Sequence, residues 1–444
     1  MTKKYFFIGI KGTGMGPLAQ ILHDQGNTVL GSDIDTYTYT QAPLEVAGIS
    51  ILPFDSNNID QNKDAIFVRG NAFDDNHEEV HRALELKVKM ISYPDAVQNQ
   101  IAKHTSIAVA GAHGKTSTTG LLAHVVKNIA PTSYLIGDGT GRGVPNSQFF
   151  VVEADEYRRH FEGYKPDYAI LTNIDFDHPD YYKDINDVTN AFSDFADNVQ
   201  KAIFAWGDDV HLRTLHPQAK VYYYGTNTDK DDFVATNIRK STQGSHFEVT
   251  FHEEYLGEFS VPLFGQHSIL NALSVIALAY MEKMDLSLIR EHLISYQGVK
   301  RRFSEKQIAD ITVIDDYAHH PTEIDATLDA ARQKYPNKQI IAIFQPHTYS
   351  RVIAYKDEFA KSLEAADKVY LANIFGSARE KAGAVTSAEI GAEITKFGGI
   401  IEEENLSLLM PYENAVMVFM GAGDIEKYEF AYEKLLGQLR TDLQ

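Results

Sequence analysis

The feature that most constrains this chain is the segment IAVAGAHGKTSTT, residues 107–119. An apolar run that reads as a strand over 106–110 passes through Gly111, Ala112, His113, Gly114, Lys115 and Thr116 into a helix. That helix carries Leu121, Leu122, Val125, Val126 and Ile129 on its apolar side. A strand, a Gly-Lys-Thr turn and a helix in this order predict an α/β unit with the loop at the sheet's carboxyl edge. Backbone N–H groups from Gly111 to Ser117 would cradle phosphates, Lys115 would reach the outer ones, and the Thr116 hydroxyl would ligate Mg²⁺. Val109 stands where the common phosphate loop has its first glycine. An ordinary glycine turn with a surface lysine fits the same letters, but the strand-to-helix context favours phosphate.

At 444 residues the chain is too long for one ordinary core and predicts several domains. It has no cysteine, which excludes disulfides, thiolate metal sites and thiol nucleophiles. The net charge of −20 argues against a general nucleic-acid binder. Local cations remain in Arg158-Arg159-His160, Lys300-Arg301-Arg302 and His319-His320. The N-terminal apolar run is too short for a signal peptide, and the apolar stretch 269–281 contains Asn271 and Ser274. A cytoplasmic protein without membrane association is expected.

Strand-like runs alternate with helix-period segments along most of the length, which predicts parallel sheets. The first block has strands at 5–10 and 28–31 around a helix at 15–25. The second has strands at 106–110, 149–154, 168–173 and 202–206 and closes on an apolar helix at 268–281. The third has strands at 311–315, 339–344, 368–372 and 415–420. The domain boundaries expected are 1–102, 103–296 and 297–444.

Gly9-Ile-Lys-Gly-Thr-Gly14 lies between the first strand and helix, and Asp33 follows the next strand. Such glycines let a pyrophosphate approach a helix N-terminus, while the acid reaches a ribose or a neighbouring donor. A tight turn with close helix–sheet packing accounts equally for the spacing. Glu153 and Asp155 end the strand at 149–154 and would share one face if it persisted that far. His178 follows among the carboxylates of TNIDFDH. In the third block GVKRRF, DDYAHHPTE and FQPHTYSR place cations, a phenol and imidazoles in loops after strands, with Pro321 suited to a helix's first turn.

With GIKGTGM, GAHGKTSTT, EADE, TNIDFDH, GQHSILNA, GVKRRF, DDYAHHPTE, FQPHTYSR and MGAGD in order from residue 9 to 424, the chain resembles the ATP-dependent muramyl (Mur) ligases. The resemblance implies an α/β protein of three domains: a Rossmann-like one for a UDP-sugar, a central P-loop ATPase-like one, and a C-terminal Rossmann-like one that binds the amino acid. It implies ATP and Mg²⁺, with L-alanine joined to the lactyl carboxylate of UDP-N-acetylmuramate through an acyl phosphate. It also implies roles: Lys115, His178, His319 and Arg351 in catalysis; Asn271, Arg302 and Asp316 with the phosphate loop on ATP; Thr116, Glu153 and His178 on metal. Gly12, Thr13, Gly14 and Asp33 would bind the UDP-sugar, and Tyr317, His319, His347 and Arg351 the amino acid. A monomer or weak homodimer with only small-molecule partners is expected.

Two positions depart from the family pattern: Ser268 stands where Asn is usual, and Thr348 where Arg is usual. Three other readings stay open on sequence. One is the recycling ligase that attaches a tripeptide to the same sugar nucleotide. Another is an NAD(P)-dependent dehydrogenase, which leaves the Gly-Lys-Thr loop and its acids unexplained. The third is a nucleotide-gated switch without ligation.

Overall fold

A computed structural model describes residues 2–376, 383 and 385–441. The chain forms two compact units. The first holds the residues up to Ile174 with Thr189–Asp232 and Ser274–His292; the second holds Asp175–Val188, Phe233–Leu273 and the residues from Leu293 onward.

Two sheets lie in the first unit. The N-terminal sheet has five parallel strands in the order Ser50–Pro53, Thr28–Asp33, Lys4–Ile8, Ile66–Arg69, Met90–Ser92. Phe6, Phe7, Ile8, Phe67 and Val68 are fully buried, as continuous apolar strands are when both sheet faces are covered. Strand order reverses about Lys4–Ile8, and the Gly9–Gly14 loop leaves its carboxyl end at that switch point before helix Met15–Asp24. The other sheet contributes seven strands to this unit, in the order Lys220–Gly225, Ala202–Trp206, Tyr168–Leu171, Thr105–Ala110, Phe149–Glu153, Thr132–Leu135, Gly141–Arg142. All neighbours are parallel except the last pair. Thr105–Ala110 is central and feeds helix Lys115–Ile129.

In the second unit a six-stranded sheet runs Ser304–Ile308, Ile311–Asp316, Ala415–Met420, Gln339–Phe344, Lys368–Ala372, Phe397–Ile401. Helices Pro321–Lys334 and Tyr349–Leu363 follow its strands, and Pro321 is the first helical residue, as its fixed φ favours.

Besides the antiparallel pair of Thr132–Leu135 with Gly141–Arg142, the expectation of parallel sheets is corrected at two places. Phe233–Ser241, Gly244–Phe251 and Glu254–Val261 form an antiparallel meander, and Ser304–Ile308 pairs antiparallel with Ile311–Asp316. In the meander Phe247 and Val249 point inward while His246 is exposed, an alternation that needs only one covered face. Short turns at residues 242–243 and 252–253 leave no length for a crossover helix. Among the described residues no helix is long and apolar enough to cross a membrane.

Candidate functional site

The phosphate-loop segment folds as its letters require. Gly111 has φ +149°, and a Cβ there would lie 1.9 Å from the Thr172 hydroxyl, so no side chain fits. Gly114 is left-handed at φ 82° and starts the helix that carries Lys115, Thr116 and Ser117. Thr172 and Asn173 hold the loop from the neighbouring strand. The Thr172 hydroxyl donates to His113 O at 2.6 Å, and Asn173 Oδ1 accepts from His113 N at 2.9 Å. Ala112 N donates to Asn173 O at 3.1 Å. These contacts pin the loop and take up the N–H groups of Ala112 and His113, which leaves the N–H groups at the helix start to meet a phosphate.

Lys115 curls over this loop. Its Nζ donates to Gly111 O at 2.6 Å, Ala112 O at 3.0 Å and Glu156 Oε1 at 2.9 Å. Burial works against the ammonium, but the carboxylates of Glu156, Asp155 and Glu153 outweigh it and raise its pKa, so Lys115 stays cationic. Thr116 Oγ1 donates to Glu153 Oε1 at 3.0 Å, and Glu153 Oε2 accepts from Gly137 N at 2.8 Å. A hydroxyl and a carboxylate in contact beside a phosphate loop are hard oxygen donors, which fits a magnesium ion.

The strand ends at Glu153, so the one-face arrangement with Asp155 does not form. Asp155 is exposed and accepts from Tyr157 N at 3.0 Å. Glu156 meets Lys115 instead, with 3% of its side chain exposed. Sequence reasoning missed it: alternation points to Asp155, and only the turn after Glu153 brings Glu156 inward.

At the other glycine loop, Asp33 serves the backbone. Its Oδ2 accepts from Lys11 N at 2.6 Å and its Oδ1 from Ile34 N at 2.8 Å. Gly12, Thr13 and Gly14 form the turn it pins, with Tyr39 Oη donating to Thr13 Oγ1 at 3.3 Å.

Asn271, Arg302, Asp316, Tyr317, His319, His347, Arg351 and His178 belong to the second unit. Arg351 is almost fully buried. Its Nε and Nη2 donate to Asp177 Oδ1 at 3.1 and 2.8 Å, and its Nη1 donates to His347 O at 3.2 Å. His319 Nδ1 lies 2.9 Å from Tyr317 O and 3.1 Å from Glu323 Oε2, so Nδ1 carries the proton. Its Nε2 faces Asp177 Oδ2 at 4.0 Å, and Arg302 Nη1 lies 3.6 Å from Glu323 Oε1. Burial pushes the His319 imidazole down to about 3 despite Glu323 and Asp177. A neutral His319 is consistent with a chain of two guanidiniums and two carboxylates that already balance. Asp177 and Glu323 were not foreseen as members of this network; their only sequence signal was membership of TNIDFDH and DDYAHHPTE.

His178, at φ 57°, sits beside Asp177, with Nε2 3.9 Å from Asp177 Oδ2. His347 stacks on Phe375, and its neighbour Thr348, at φ 67°, caps helix Tyr349–Leu363 by accepting from Arg351 N. Ser268 donates to Phe264 O at 2.6 Å, inside its own helix start. Asn271 is buried on the same helix. Both family departures therefore have local backbone roles.

Three family descriptions match in succession: the Mur ligase family catalytic domain over residues 4–105, the Mur ligase middle domain over 109–279 and the Mur ligase glutamate ligase domain over 301–423. A UDP-N-acetylmuramate–L-alanine ligase of Leuconostoc citreum is 88% identical over 444 residues, covering all of both chains. The chain belongs to the Mur ligase family. This Mur ligase is an ATP-dependent ligase of peptidoglycan synthesis. It is similar to the crystal structure of a UDP-N-acetylmuramate-alanine ligase from Thermotoga maritima, with a TM-score of 0.80 and 27% identity over 99% of this chain and 100% of that one. It is similar also to a murein peptide ligase from Psychrobacter arcticus, with a TM-score of 0.70 and 25% identity over 98% and 99%.

Proposed function

We propose that this Mur ligase joins L-alanine to UDP-N-acetylmuramate, with ATP cleaved to ADP and phosphate. The observation that carries this reading is the pinned loop at Gly111–Thr116 with Lys115, Thr116, Glu153 and Glu156 around it, in a chain 88% identical to a relative of that name. The tripeptide-recycling reading is not favoured, since the murein peptide ligase is the less similar of the two structures. A dehydrogenase leaves these residues without a use.

The N–H groups at the start of helix Lys115–Ile129 would bind the triphosphate, since those of Ala112 and His113 are taken by Asn173, and Lys115 would exchange carbonyl oxygens and Glu156 for phosphate oxygens. Thr116 and Glu153 would hold a magnesium ion, and His178 is assigned a second. Magnesium bound there would neutralise phosphate charge as the lactyl carboxylate attacks. The carboxylate oxygen bonds to the γ-phosphorus and ADP leaves. Alanine's neutral amine then adds to the acyl carbon, phosphate departs with the C–O electron pair, and the nitrogen's extra proton leaves with the phosphate. Asn271, Arg302 and Asp316 are assigned to the nucleotide, Gly12, Thr13, Gly14 and Asp33 to the sugar nucleotide, and Tyr317, His319, His347 and Arg351 to alanine. We assign domains to 1–102, 103–296 and 297–444, in a cytoplasmic monomer or weak homodimer.

Phosphate release with purified protein, ATP, Mg²⁺ and UDP-N-acetylmuramate tests this directly. L-Alanine should stimulate it by at least about tenfold over the tripeptide, the factor that about 1.4 kcal/mol of selectivity supplies. Release that responds only to the tripeptide would assign the recycling activity, and release indifferent to both would assign a switch.

Asp316 supplies a pH signature. Its oxygens accept from Phe303 N and Ala318 N, each at 2.8 Å. Burial pushes its carboxyl up from 3.8 to about 6, against Arg302 and these two N–H groups. The folded-state value exceeds the unfolded one, so its contribution to stability is present below pH 3.8 and is lost as pH rises through about 6. With Asp316 assigned to the nucleotide as an ionised acceptor, the KM for ATP should climb as pH falls below about 6. Asp316→Asn should flatten that limb, and a limb unchanged in this variant would place the titration elsewhere.

A further inference from the structure

The Arg158-Arg159-His160 cluster is unused by the roles above, yet it is built into the first unit with care. Arg158 and Arg159 are consecutive left-handed residues, at φ 52° and 58°. Neither is glycine, so the backbone holds both in a region side chains disfavour, and such strain is characteristic of functional loops. Their neighbours are tied down. Arg159 pairs with Glu162 at 2.6 Å and Asp194 at 3.6 Å. His160 Nδ1 lies 3.6 Å from Asp155, and its Nε2 lies 3.2 Å from Asn71 Nδ2. Arg158 is the exception. Its side chain is exposed beside the Tyr157 ring, 5.5 Å from the centroid, and among the described residues it forms no ion pair.

The place of this loop says which anion it would meet. It begins just after Glu153, the acid on the Thr116 hydroxyl, and through His160 it reaches Asn71 at the carboxyl edge of the N-terminal sheet. Tyr93 closes the same edge: a Cβ on Gly14 would lie 2.3 Å from its Oη. The loop therefore runs from the phosphate-loop acids toward the sheet edge that carries the Gly9–Gly14 turn. A diphosphate is served by that turn's own N–H groups. The anion that must travel on toward the γ-phosphate is the carboxylate of the acceptor.

We propose that Arg158 is a specificity residue that binds the carboxylate of the sugar-nucleotide substrate before phosphorylation. The proposal rests on the sugar-nucleotide reading given above. A guanidinium fits because its planar fork takes a carboxylate in two parallel hydrogen bonds, which a lysine cannot reproduce. It also offsets the repulsion between that carboxylate and the triphosphate.

The test is equilibrium binding to the whole enzyme without ATP, using UDP-N-acetylmuramate and UDP-N-acetylglucosamine. These probes differ by the lactyl group and its charge. The wild type should prefer the muramate by about 10- to 100-fold, the range of a charge-assisted contact. Arg158→Gln should lose most of that preference while holding UDP-N-acetylglucosamine as before, and Arg158→Lys should retain part of it. Arg158→Gly, which relieves the left-handed backbone, should show the same loss in a chain that melts no lower than wild type. A wild type that does not discriminate, or an Arg158→Gln that weakens both probes alike, would overturn the proposal and leave the ligase reading standing. Binding of neither probe by wild type would sink both.

Discussion

Lys115→Ala is expected to lower ligation turnover by about 10²- to 10⁴-fold, the range for removing a preorganised charge from phosphoryl transfer. The structure adds a second effect. Lys115 is the cation against Glu156, whose side chain is 3% exposed. Removing one partner of a buried pair costs about 3–5 kcal/mol, because the other charge stays desolvated. In a unit of this size each kcal/mol lowers the melting midpoint by roughly 2–4 °C. The single variant should therefore be slow and less stable. Lys115→Met/Glu156→Gln separates the two effects: most of the melting midpoint should return and the turnover should not. If turnover returned with stability, Lys115 would be structural, and its assignment to the phosphates would fall.

Asp177→Ala should have the next largest effect, in the second unit. Arg351 places two donors on Asp177 Oδ1, with side-chain exposures of 5% and 6%. Without Asp177 the guanidinium is left in a buried site, at a cost of about 3–5 kcal/mol. The KM for alanine should rise as well, by about tenfold or more, because Arg351 loses the group that orients it. Asp177→Asn keeps an acceptor at Oδ1 and should recover much of the stability. A thermal melt of Asp177→Ala that overlays the wild type would show that Arg351 is solvated without Asp177.

Legibility in the sequence followed the range of the interaction. The strand at 202–206 and the helix after Gly114 were readable because periodicity and turn chemistry are local. The strand end marked Glu153 together with Asp155, and only the resemblance paired Thr116 with Glu153, whose side chains are hydrogen-bonded. Glu156 was not readable: strand alternation favours Asp155, and the turn after Glu153 overrides it. The motif TNIDFDH was read as one unit around His178. In the structure Thr172 and Asn173 hold the phosphate loop, while Asp177 holds Arg351, 174 residues away in sequence. No spacing rule connects residues so far apart. The meander at 233–261 was missed because the alternation of buried and exposed residues was subordinated to the α/β pattern on either side.

In the proposed reaction the loop at Gly111–Thr116 delivers a phosphoryl group to a carboxylate, and an amine then displaces the phosphate. Oxygen-18 in the lactyl carboxylate of UDP-N-acetylmuramate tests it most directly. Phosphate released during ligation with L-alanine should carry one labelled oxygen, read by mass spectrometry. Unlabelled phosphate accompanied by amide product would contradict an acyl phosphate, and with it the function assigned to the loop.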